Sequence, residues 1–250
     1  MEYDQLDQYY IVDRLELLAK EKLYDKIVLK IPSSICDDFI EKGYKSEGKV
    51  LNYGQGKEDF YFLSKFLSNE RSLTDKQAEY DRIINVAQTK KHEPLPPLSD
   101  DFHITKMDKS KSKIMASIYK EVFKTYPFPI FDPIYIQDTM DTHAVYFGVY
   151  HGHELVALAS SEINEKNKNA EMTDFAIKPQ FRGNQLAKHL LTILEEEMAS
   201  RSILTFYTIA RSESLPMNCT FASLGYHFGG TLINNTQISG KLESMNIWYK

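Results

Sequence analysis

Residues 171–197 read EMTDFAIKPQFRGNQLAKHLLTILEEE, and this stretch is the most informative about the architecture because it passes from a strand into a long helix. Residues 171–177 predict a buried strand, which Pro179 ends, since proline has no backbone N–H to donate to a sheet. From Leu186 onward, apolar residues recur at helical spacing and predict the apolar face of a long helix. Residues 182–187 therefore form a turn that leads into the N-terminus of a helix.

This turn, RGNQLA at residues 182–187, has the composition of an anion-binding loop. The first turn of a helix leaves about four backbone N–H groups unpaired and carries about half a positive charge. Gly183 allows a ligand to approach the backbone closely, and Arg182 adds a cation. The combination suits a diphosphate group. The alternative is an ordinary strand-to-helix turn that contains one glycine.

Outward from this stretch, residues 102–250 alternate between strands and helices. Sequence patterns predict strands at 102–107, 144–150, 155–163, 171–177 and 203–209, two final strands before residue 250, and helices between them. The resulting order is β-α-α-β-β-β-α-β-α-β-β. It predicts a fold of the α/β class with an α+β arrangement: one mixed sheet whose faces are covered by helices.

A proline-rich segment separates this region from the N-terminal part of the chain. Residues 88–101 read QTKKHEPLPPLSDD. Because proline fixes φ and restricts the residue before it, no helix or central strand can cross this segment. We therefore predict an N-terminal region over residues 1–92, a linker over residues 93–101 and a C-terminal domain over residues 102–250.

The N-terminal region repeats a motif of the C-terminal domain. FIEKGYKSEG at residues 39–48 aligns with FASLGYHFGG at residues 221–230, and similar elements flank both segments. This predicts that residues 1–68 are a second copy of the last half of the C-terminal domain. The copy lacks a phosphate loop, so we expect it to bind no coenzyme and to complete or pair with the C-terminal sheet. The alternative is that F-x-x-x-G-Y is only a common helix C-cap.

Composition excludes several other classes of protein. The 250 residues carry a formal net charge of −5, which disfavours nucleic acid as a partner because phosphate binding needs a positive surface. No apolar run approaches the ~20 residues that span a bilayer, and the first residues do not resemble a signal peptide. The two cysteines have no metal-ligand spacing, and His151 and His153 lack a third ligand. We predict a cytoplasmic protein without a metal site or membrane contact.

The strand, the P-x-x-R-G-x-x-x-A turn at residues 179–187, the helix ending in F-x-x-x-G-Y and the final hairpin together resemble the GCN5-related N-acetyltransferase (GNAT) superfamily. The resemblance covers about residues 102–250 and implies the GNAT fold, with a partial copy of it in the N-terminal region, and an N-acetyltransferase activity that uses acetyl-CoA.

The same resemblance implies a coenzyme site. Its members are a strand whose backbone pairs with pantetheine, the diphosphate loop and two contacts near the following helix: Phe175, Ala176, Ile177, Arg182, Gly183, Asn184, Gln185, Leu186, Ala187, Ser214 and Asn218. Helix capping is the alternative role of the last two residues. Gln185 stands where the family usually has a glycine, which puts close approach of the diphosphate at this amide in question.

Acetyl transfer to an ammonium group requires a base, because the attacking nitrogen must lose a proton. A buried carboxylate suits this role, since burial raises its pKa. Glu171 corresponds to a base glutamate of several superfamily members, whereas Asp174 faces away from Glu171 on a regular strand unless a bulge intervenes. Phe221 stands where many members have an acid tyrosine, which leaves Tyr226, water or no acid for the leaving thiolate.

Longer strings resemble one branch of the superfamily, the beta-lysine N6-acetyltransferases. These strings are YPFPIFDPIY at residues 126–135, AEMTDFAIKPQFRGNQLA at residues 170–187 and the C-terminal sequence, so the resemblance covers nearly the whole chain. It implies that the terminal amine of beta-lysine is acetylated to N6-acetyl-beta-lysine, a compatible solute. It also implies lysine 2,3-aminomutase as the metabolic partner that supplies beta-lysine.

The sequence is also compatible with two other functions. One is a GNAT enzyme that acetylates a polyamine, an antibiotic amine or another amino acid. The other is a CoA-binding sensor or scaffold without turnover, which the departures at Gln185 and Phe221 favour. The sequence leaves the oligomeric state open, and a homodimer is compatible with it.

Beta-lysine has two ammonium groups and a carboxylate, so its pocket needs both acidic and cationic side chains. We predict substrate contacts from an acidic, aromatic segment and one arginine: Tyr126, Asp132, Tyr135, Asp138 and Arg211. The alternative is a proline-rich loop with solvated carboxylates.

Overall fold

The computed structural model of the protein describes residues 8–250, so the first seven residues of the predicted N-terminal region lie outside the described part. The strands are β1 (Lys26–Pro32), β2 (Lys45–Gly54), β3 (Glu58–Phe66), β4 (Phe102–Lys106), β5 (Ala144–His151), β6 (Glu154–Asn164), β7 (Asn169–Ile177), β8 (Thr205–Arg211), β9 (His227–Ile238) and β10 (Lys241–Tyr249). They form one ten-stranded sheet in the order β1-β3-β2-β9-β10-β8-β7-β6-β5-β4. Neighbouring strands are antiparallel except for the parallel pair β7 and β8.

Helices pack on both faces of this sheet, which confirms the predicted mixed fold. They are α1 (Gln8–Glu21), α2 (Cys36–Glu41), α3 (Asn69–Ser72), α4 (Gln77–Gln88), α5 (Ser112–Val122), α6 (Pro133–Thr142), α7 (Leu186–Ser200) and α8 (Leu215–Ser223). The apolar side of α7 is buried with Ala157 of β6 and Met172 of β7. Helices α5 and α6 pack against the opposite face, where Leu158 and Ala176 point.

Glycines join the N-terminal strands to the C-terminal strands. Gly48 of β2 pairs with Gly230 of β9, and this contact makes the sheet continuous. A Cβ atom on Gly230 would lie 2.2 Å from the Glu47 carbonyl oxygen and 2.5 Å from the Gly48 Cα. Only residues without side chains therefore allow the two strands to approach this closely.

The two sides of this seam have the same construction. The order α1-β1-α2-β2-β3 matches α7-β8-α8-β9-β10, and the sheet order β1-β3-β2 matches β8-β10-β9. The rings of Phe39 and Tyr44 pack edge to face at 5.6 Å, and those of Phe221 and Tyr226 do so at 5.1 Å. These features agree with the predicted half-copy, which stays a prediction because a shared helix C-cap produces the same ring pair.

The remaining connections place the functional elements. No helix or strand lies between Gln88 and Phe102, where the proline-rich linker is predicted. β8 begins two residues later than predicted, because Ser202 adopts a left-handed φ of +59° and turns the chain after α7. Within residues 8–250, no helix is both long and apolar enough to cross a lipid bilayer.

Candidate active site

The parallel strands β7 and β8 separate in the middle of the sheet. They pair over three positions, the last of which joins Glu171 to Tyr207. β7 then continues to Ile177 and β8 to Arg211, and no further pair connects them in the described chain. Since unpaired backbone groups at a strand edge bind extended chains, the gap between these strands is open to a linear ligand.

The strand predicted to bind pantetheine borders this gap. On the far side of β7, Ala176 and Ile177 pair with Leu158 and Ala157 of β6. The edge of Phe175, Ala176 and Ile177 that faces β8 has no ladder partner in the part of the chain that the structure describes. The position of these residues is therefore compatible with strand-like pairing to a coenzyme arm.

The loop at residues 182–187 presents unpaired backbone donors at the start of α7. No protein atom among residues 8–250 accepts a hydrogen bond from the backbone N–H groups of residues 183–187. Gly183 has a φ of +90°, and nothing lies within 4 Å of the position that a Cβ would occupy. Arg182 and Asn184 are exposed beside it. Free donors, open space and a nearby cation fit a diphosphate group.

The backbone conformation of Gln185 shows why the family usually has a glycine at this position. Its φ of +57° and ψ of 18° are left-handed, a conformation that glycine adopts without strain. The glutamine side chain makes no capping hydrogen bond, and buried Leu186 fixes the next residue in the core. The glutamine therefore adds backbone strain at residue 185, but the backbone N–H groups of the loop stay unpaired.

The two predicted coenzyme contacts near α8 differ in their freedom. Ser214 is the N-cap residue of α8, and its hydroxyl makes no capping hydrogen bond. Asn218 is fully buried; its amide donates to the carbonyls of Arg211 and Ser214 at 3.0 and 2.8 Å. Its oxygen accepts hydrogen bonds from Asn246 and Trp248. Asn218 therefore connects α8 to β8 and β10, and its contact with a coenzyme stays a prediction.

A bulge in β7 brings the two candidate bases to one face of the sheet. The ladder between β6 and β7 shifts register between Leu158 and Ser160, where β7 has one extra residue. Asp174 lies in this bulge with a φ of +56° and accepts a hydrogen bond from Ser160 at 2.6 Å. Glu162, two residues along β6 from Ser160, is the cross-strand partner of Glu171. Asp174 and Glu171 consequently point to the same side.

Asp174 is a buried carboxyl group with two short hydrogen bonds. The hydroxyls of Tyr126 and Ser160 each donate to it at 2.6 Å. Burial raises the pKa of Asp174, and these hydrogen bonds oppose the increase because they stabilise the carboxylate. Tyr126 and Ser160 thus orient an acid that favours the protonated form more than a solvated aspartate does.

Glu171 and Glu162 extend this acidic cluster. Burial raises the pKa of Glu171, while the charge of Lys30 and a hydrogen bond with Tyr207 lower it. Burial, followed by the charges of Glu171 and Asp174, raises the pKa of Glu162 to about 7. We call Glu162, Glu171 and Asp174 the carboxylate cluster. Three acids in a poorly solvated site favour a cationic ligand, because its charge relieves their mutual repulsion.

The N-terminal region contributes a cation next to this cluster. Lys30 of β1 has its Nζ atom 3.2 Å from the Tyr207 hydroxyl. The same atom lies 4.9 Å from the ring centroid of Tyr53 and 5.2 Å from that of Tyr207. The hairpin that carries Tyr53 is held against β7, since the Asn169 side chain donates to the Tyr53 carbonyl at 2.9 Å.

The predicted substrate residues divide into two groups. Tyr126 bonds to the carboxylate cluster, and the pKa of Tyr135 is raised by burial and by the charges of Glu162 and Asp174, which places it nearby. Asp132 instead caps α6 by accepting a hydrogen bond from the Ile134 N–H at 2.9 Å.

Within residues 8–250, no hydrogen bond or ion pair joins the other two predicted substrate residues to this cluster. Asp138 is exposed on α6. Arg211 donates to both oxygens of the fully buried Glu243 at 2.8 and 2.6 Å. This pair uses two guanidinium donors and neutralises a buried charge, so Arg211 has a structural partner in the free protein. A role in substrate binding stays a prediction for both residues.

Tyr226, the one aromatic residue considered as the general acid, and Phe221, which replaces the family's acid tyrosine, both lie on the face of the sheet opposite Asp174. Phe221 is buried, with its ring 5.6 Å from Phe175. The pKa of Tyr226 is raised by burial and by Glu195 of α7, which packs on the face of the sheet opposite Asp174. Protonation of the thiolate by Tyr226, by water or without an acid stays a prediction.

Sequence reasoning missed Lys30, Glu162 and Tyr207. A signal for Glu162 was present, because the polar turn between β6 and β7 pairs Asn164 with Asn169 and so sets Glu162 opposite Glu171. Lys30 has no comparable signal, since its position depends on how the N-terminal strands curve over β7 and β8.

The open strand gap, the loop at the start of α7 and the buried acids together agree with a comparison of the chain with known families. Residues 112–226 match the acetyltransferase (GNAT) family. The chain belongs to this family and is an N-acetyltransferase whose acetyl donor is acetyl-CoA, acting on a small amine. The predicted fold and class of reaction are thereby confirmed.

Individual relatives extend the match beyond this segment. A beta-lysine N6-acetyltransferase of Methanococcus maripaludis is 38% identical over 240 residues, which are 96% of this chain and 87% of the relative. The N-acetyltransferase YodP of Bacillus subtilis is 35% identical over 93% of this chain and 84% of its own length. The ribosomal-protein-S18-alanine N-acetyltransferase from Escherichia coli has a TM-score of 0.52 at 16% identity, covering 59% of this chain and 92% of that structure. This last likeness concerns the fold.

Proposed function

We propose that this enzyme acetylates the terminal amine of beta-lysine and forms N6-acetyl-beta-lysine. The carboxylate cluster beside the gap between β7 and β8 carries the proposal, because it suits an acceptor with more than one ammonium group. The 38% identity with a beta-lysine N6-acetyltransferase over nearly the whole chain supports this acceptor.

In the proposed reaction, acetyl-CoA supplies the acetyl group, and CoA is released. The acceptor ammonium first loses a proton, because only the neutral amine has a free lone pair for attack on the thioester carbon. A direct attack in the ternary complex then forms the C–N bond as the C–S bond breaks, and a second proton passes from the nitrogen to the CoA thiolate. The first proton passes to Asp174 or Glu171, whose raised pKa values lie closer to that of an amine than the pKa of a solvated carboxyl does.

We assign coenzyme binding to the strand edge and the loop. The free N–H groups of residues 183–187, with Arg182, bind the diphosphate. The open edge of Phe175 and Ile177 binds the pantetheine arm as an added strand would. Both assignments place the reacting thioester next to Asp174.

A panel of amines tests the proposed acceptor. The purified protein is incubated with acetyl-CoA and beta-lysine, lysine or spermidine, while mass spectrometry detects product and a thiol reagent detects released CoA. We expect the highest kcat/KM for beta-lysine, with one acetyl group on the terminal nitrogen. Faster turnover of spermidine or lysine contradicts the acceptor assignment. Binding of CoA in a calorimeter, with no thiol released from acetyl-CoA in the presence of any amine, instead supports the sensor or scaffold.

The wider setting of the reaction remains proposed as well. Under this function, lysine 2,3-aminomutase supplies the acceptor, the product is a compatible solute and the reaction takes place in the cytoplasm. A homodimer also stays a prediction, which light scattering of the full chain tests.

A further inference from the structure

Lys30 differs from the other lysine on the same face of β1. Lys26 is almost fully buried, with its Nζ 2.7 Å from a Glu47 carboxylate oxygen and 2.7 Å from the Ile233 carbonyl oxygen. Lys30 is exposed, and no carboxylate in the described chain forms an ion pair with it. Its contacts are the Tyr207 hydroxyl and the faces of two tyrosine rings, which orient the ammonium group without neutralising it.

The position of Lys30 makes it part of the acceptor site. Its partner Tyr207 is the β8 residue paired with Glu171, at the point where the strand gap begins. The positive charge of Lys30 reaches Glu171 and Glu162, since it opposes the rise in the pKa of each. Lys30 therefore lies near the acidic cluster and retains hydrogen-bond donors for another anion.

The charged groups follow one another in a definite order. Asp174 lies in the bulge beside the open gap. Glu171 lies at the last pair between β7 and β8, with Glu162 opposite it on β6, and Lys30 lies beyond them across Tyr207. Beta-lysine has a terminal amine at one end, then a second ammonium group and finally a carboxylate. An acceptor whose terminal amine is at Asp174 thus places its second ammonium group near the two glutamates and its carboxylate towards Lys30.

We propose that Lys30 binds the carboxylate of the acceptor and that this contact selects amino acids over polyamines. The N-terminal region is then a part of the acceptor site and supplies its specificity. This inference rests on the proposed function, because it takes a diamino acid as the acceptor.

The wild-type enzyme supplies the first test. Its acceptors are beta-lysine and 1,4-diaminopentane, which is beta-lysine without the carboxylate. We expect the kcat/KM for beta-lysine to exceed that for 1,4-diaminopentane by about tenfold or more. The reason is that 1,4-diaminopentane has no carboxylate and leaves the Lys30 ammonium group without an anionic partner. Equal values for the two amines would overturn the proposal whether or not any variant folds.

Variants of Lys30 supply the second test. Lys30→Met keeps the length of the side chain and removes the charge, Lys30→Arg keeps the charge, and Lys45→Met changes an exposed lysine on β2 as a control. We expect Lys30→Met to raise the KM for beta-lysine at least about tenfold and that for 1,4-diaminopentane less than about twofold. Lys30→Arg should retain most of the affinity for beta-lysine, and the KM for acetyl-CoA should be the same in all three variants and the wild-type enzyme.

The outcomes separate this inference from the proposed function. If Lys30→Met weakens the binding of both acceptors equally, Lys30 acts only by lowering the pKa of the two glutamates and keeping them ionised, and the inference is wrong while the enzyme assignment stands. If the wild-type enzyme acetylates spermidine but not beta-lysine, the proposed function is wrong and the Lys30 assignment with it. Thermal melting of each variant shows whether a change in KM reflects unfolding.

Discussion

Two buried acids compete for the role of base, and single substitutions distinguish them. Asp174→Asn keeps the shape of the side chain and tolerates the left-handed backbone but cannot take a proton. Glu171→Gln likewise keeps the shape of its side chain, on the regular part of β7, and cannot take a proton. We expect the substitution of the true base to lower kcat by about 10²–10⁴-fold. Glu196→Gln, on the exposed side of α7, is the control.

The pH dependence gives this test a direction. Burial raises the pKa of both acids, so more of the base is protonated and inactive at low pH. We expect the wild-type kcat to increase with pH as the base ionises, and the deficient variant to lose this increase. If both variants retain wild-type rates from pH 6 to 9, neither acid removes the proton.

Glu162 should make stability depend on pH. Its pKa rises from 4.5 to about 7 on folding, so the folded state favours the protonated acid. Its contribution to stability is fully present below pH 4.5 and is lost as the pH rises through about 7, a loss of roughly 3 kcal/mol. Glu162→Gln should therefore increase the free energy of unfolding at pH 8 by up to this amount and have little effect at pH 4. Urea titrations measure both, and an equal effect at the two pH values would contradict the assignment.

At the scale of single elements, the loop before α7 should determine coenzyme affinity. Gly183→Ala adds a Cβ at a φ of +90°, which costs about 1 kcal/mol and occupies the space assigned to the diphosphate. We expect a higher KM for acetyl-CoA with an unchanged KM for the acceptor. Gln185→Gly is the matched variant because it relieves a left-handed backbone instead. An increase in the acetyl-CoA KM for Gln185→Gly would show that the glutamine amide itself binds the coenzyme.

For the whole molecule, the seam between β2 and β9 should control stability and the acceptor site together. Gly230→Ala has no room for its Cβ, because the nearest atoms are backbone atoms at 2.2 and 2.5 Å. We expect a loss of about 3 kcal/mol, which lowers the melting temperature by at least about 6 °C in a chain of this size. Since β1 would move, the acceptor KM should also rise more than the acetyl-CoA KM.

A second glycine provides the comparison for this variant. Gly152→Asn, at the tip of the hairpin between β5 and β6, meets open space at a φ of +59°, which asparagine tolerates. It should melt close to the wild-type temperature. If Gly230→Ala and Gly152→Asn melt at the same temperature, the close approach of the two strands is not important for stability.

Much of the fold follows from local patterns that the amino-acid sequence contains. The strand ending before Pro179, the turn at residues 182–187 and the apolar face of α7 are adjacent in the chain, so periodicity and backbone chemistry suffice to predict them. The register that faces Glu162 with Glu171 is also local, because a short turn sets it. The class of reaction follows from these elements through their resemblance to one family.

The assembly of the three acids and Lys30 depends on tertiary packing. A strand period of two separates Asp174 from Glu171, and the bulge that brings them to one face depends on the partner strand β6. Lys30 is distant in sequence from Tyr207, and the two meet because ten strands form a single curved sheet across a glycine seam. Contacts of this kind result from the packing of remote segments, for which short-range propensity contains no information.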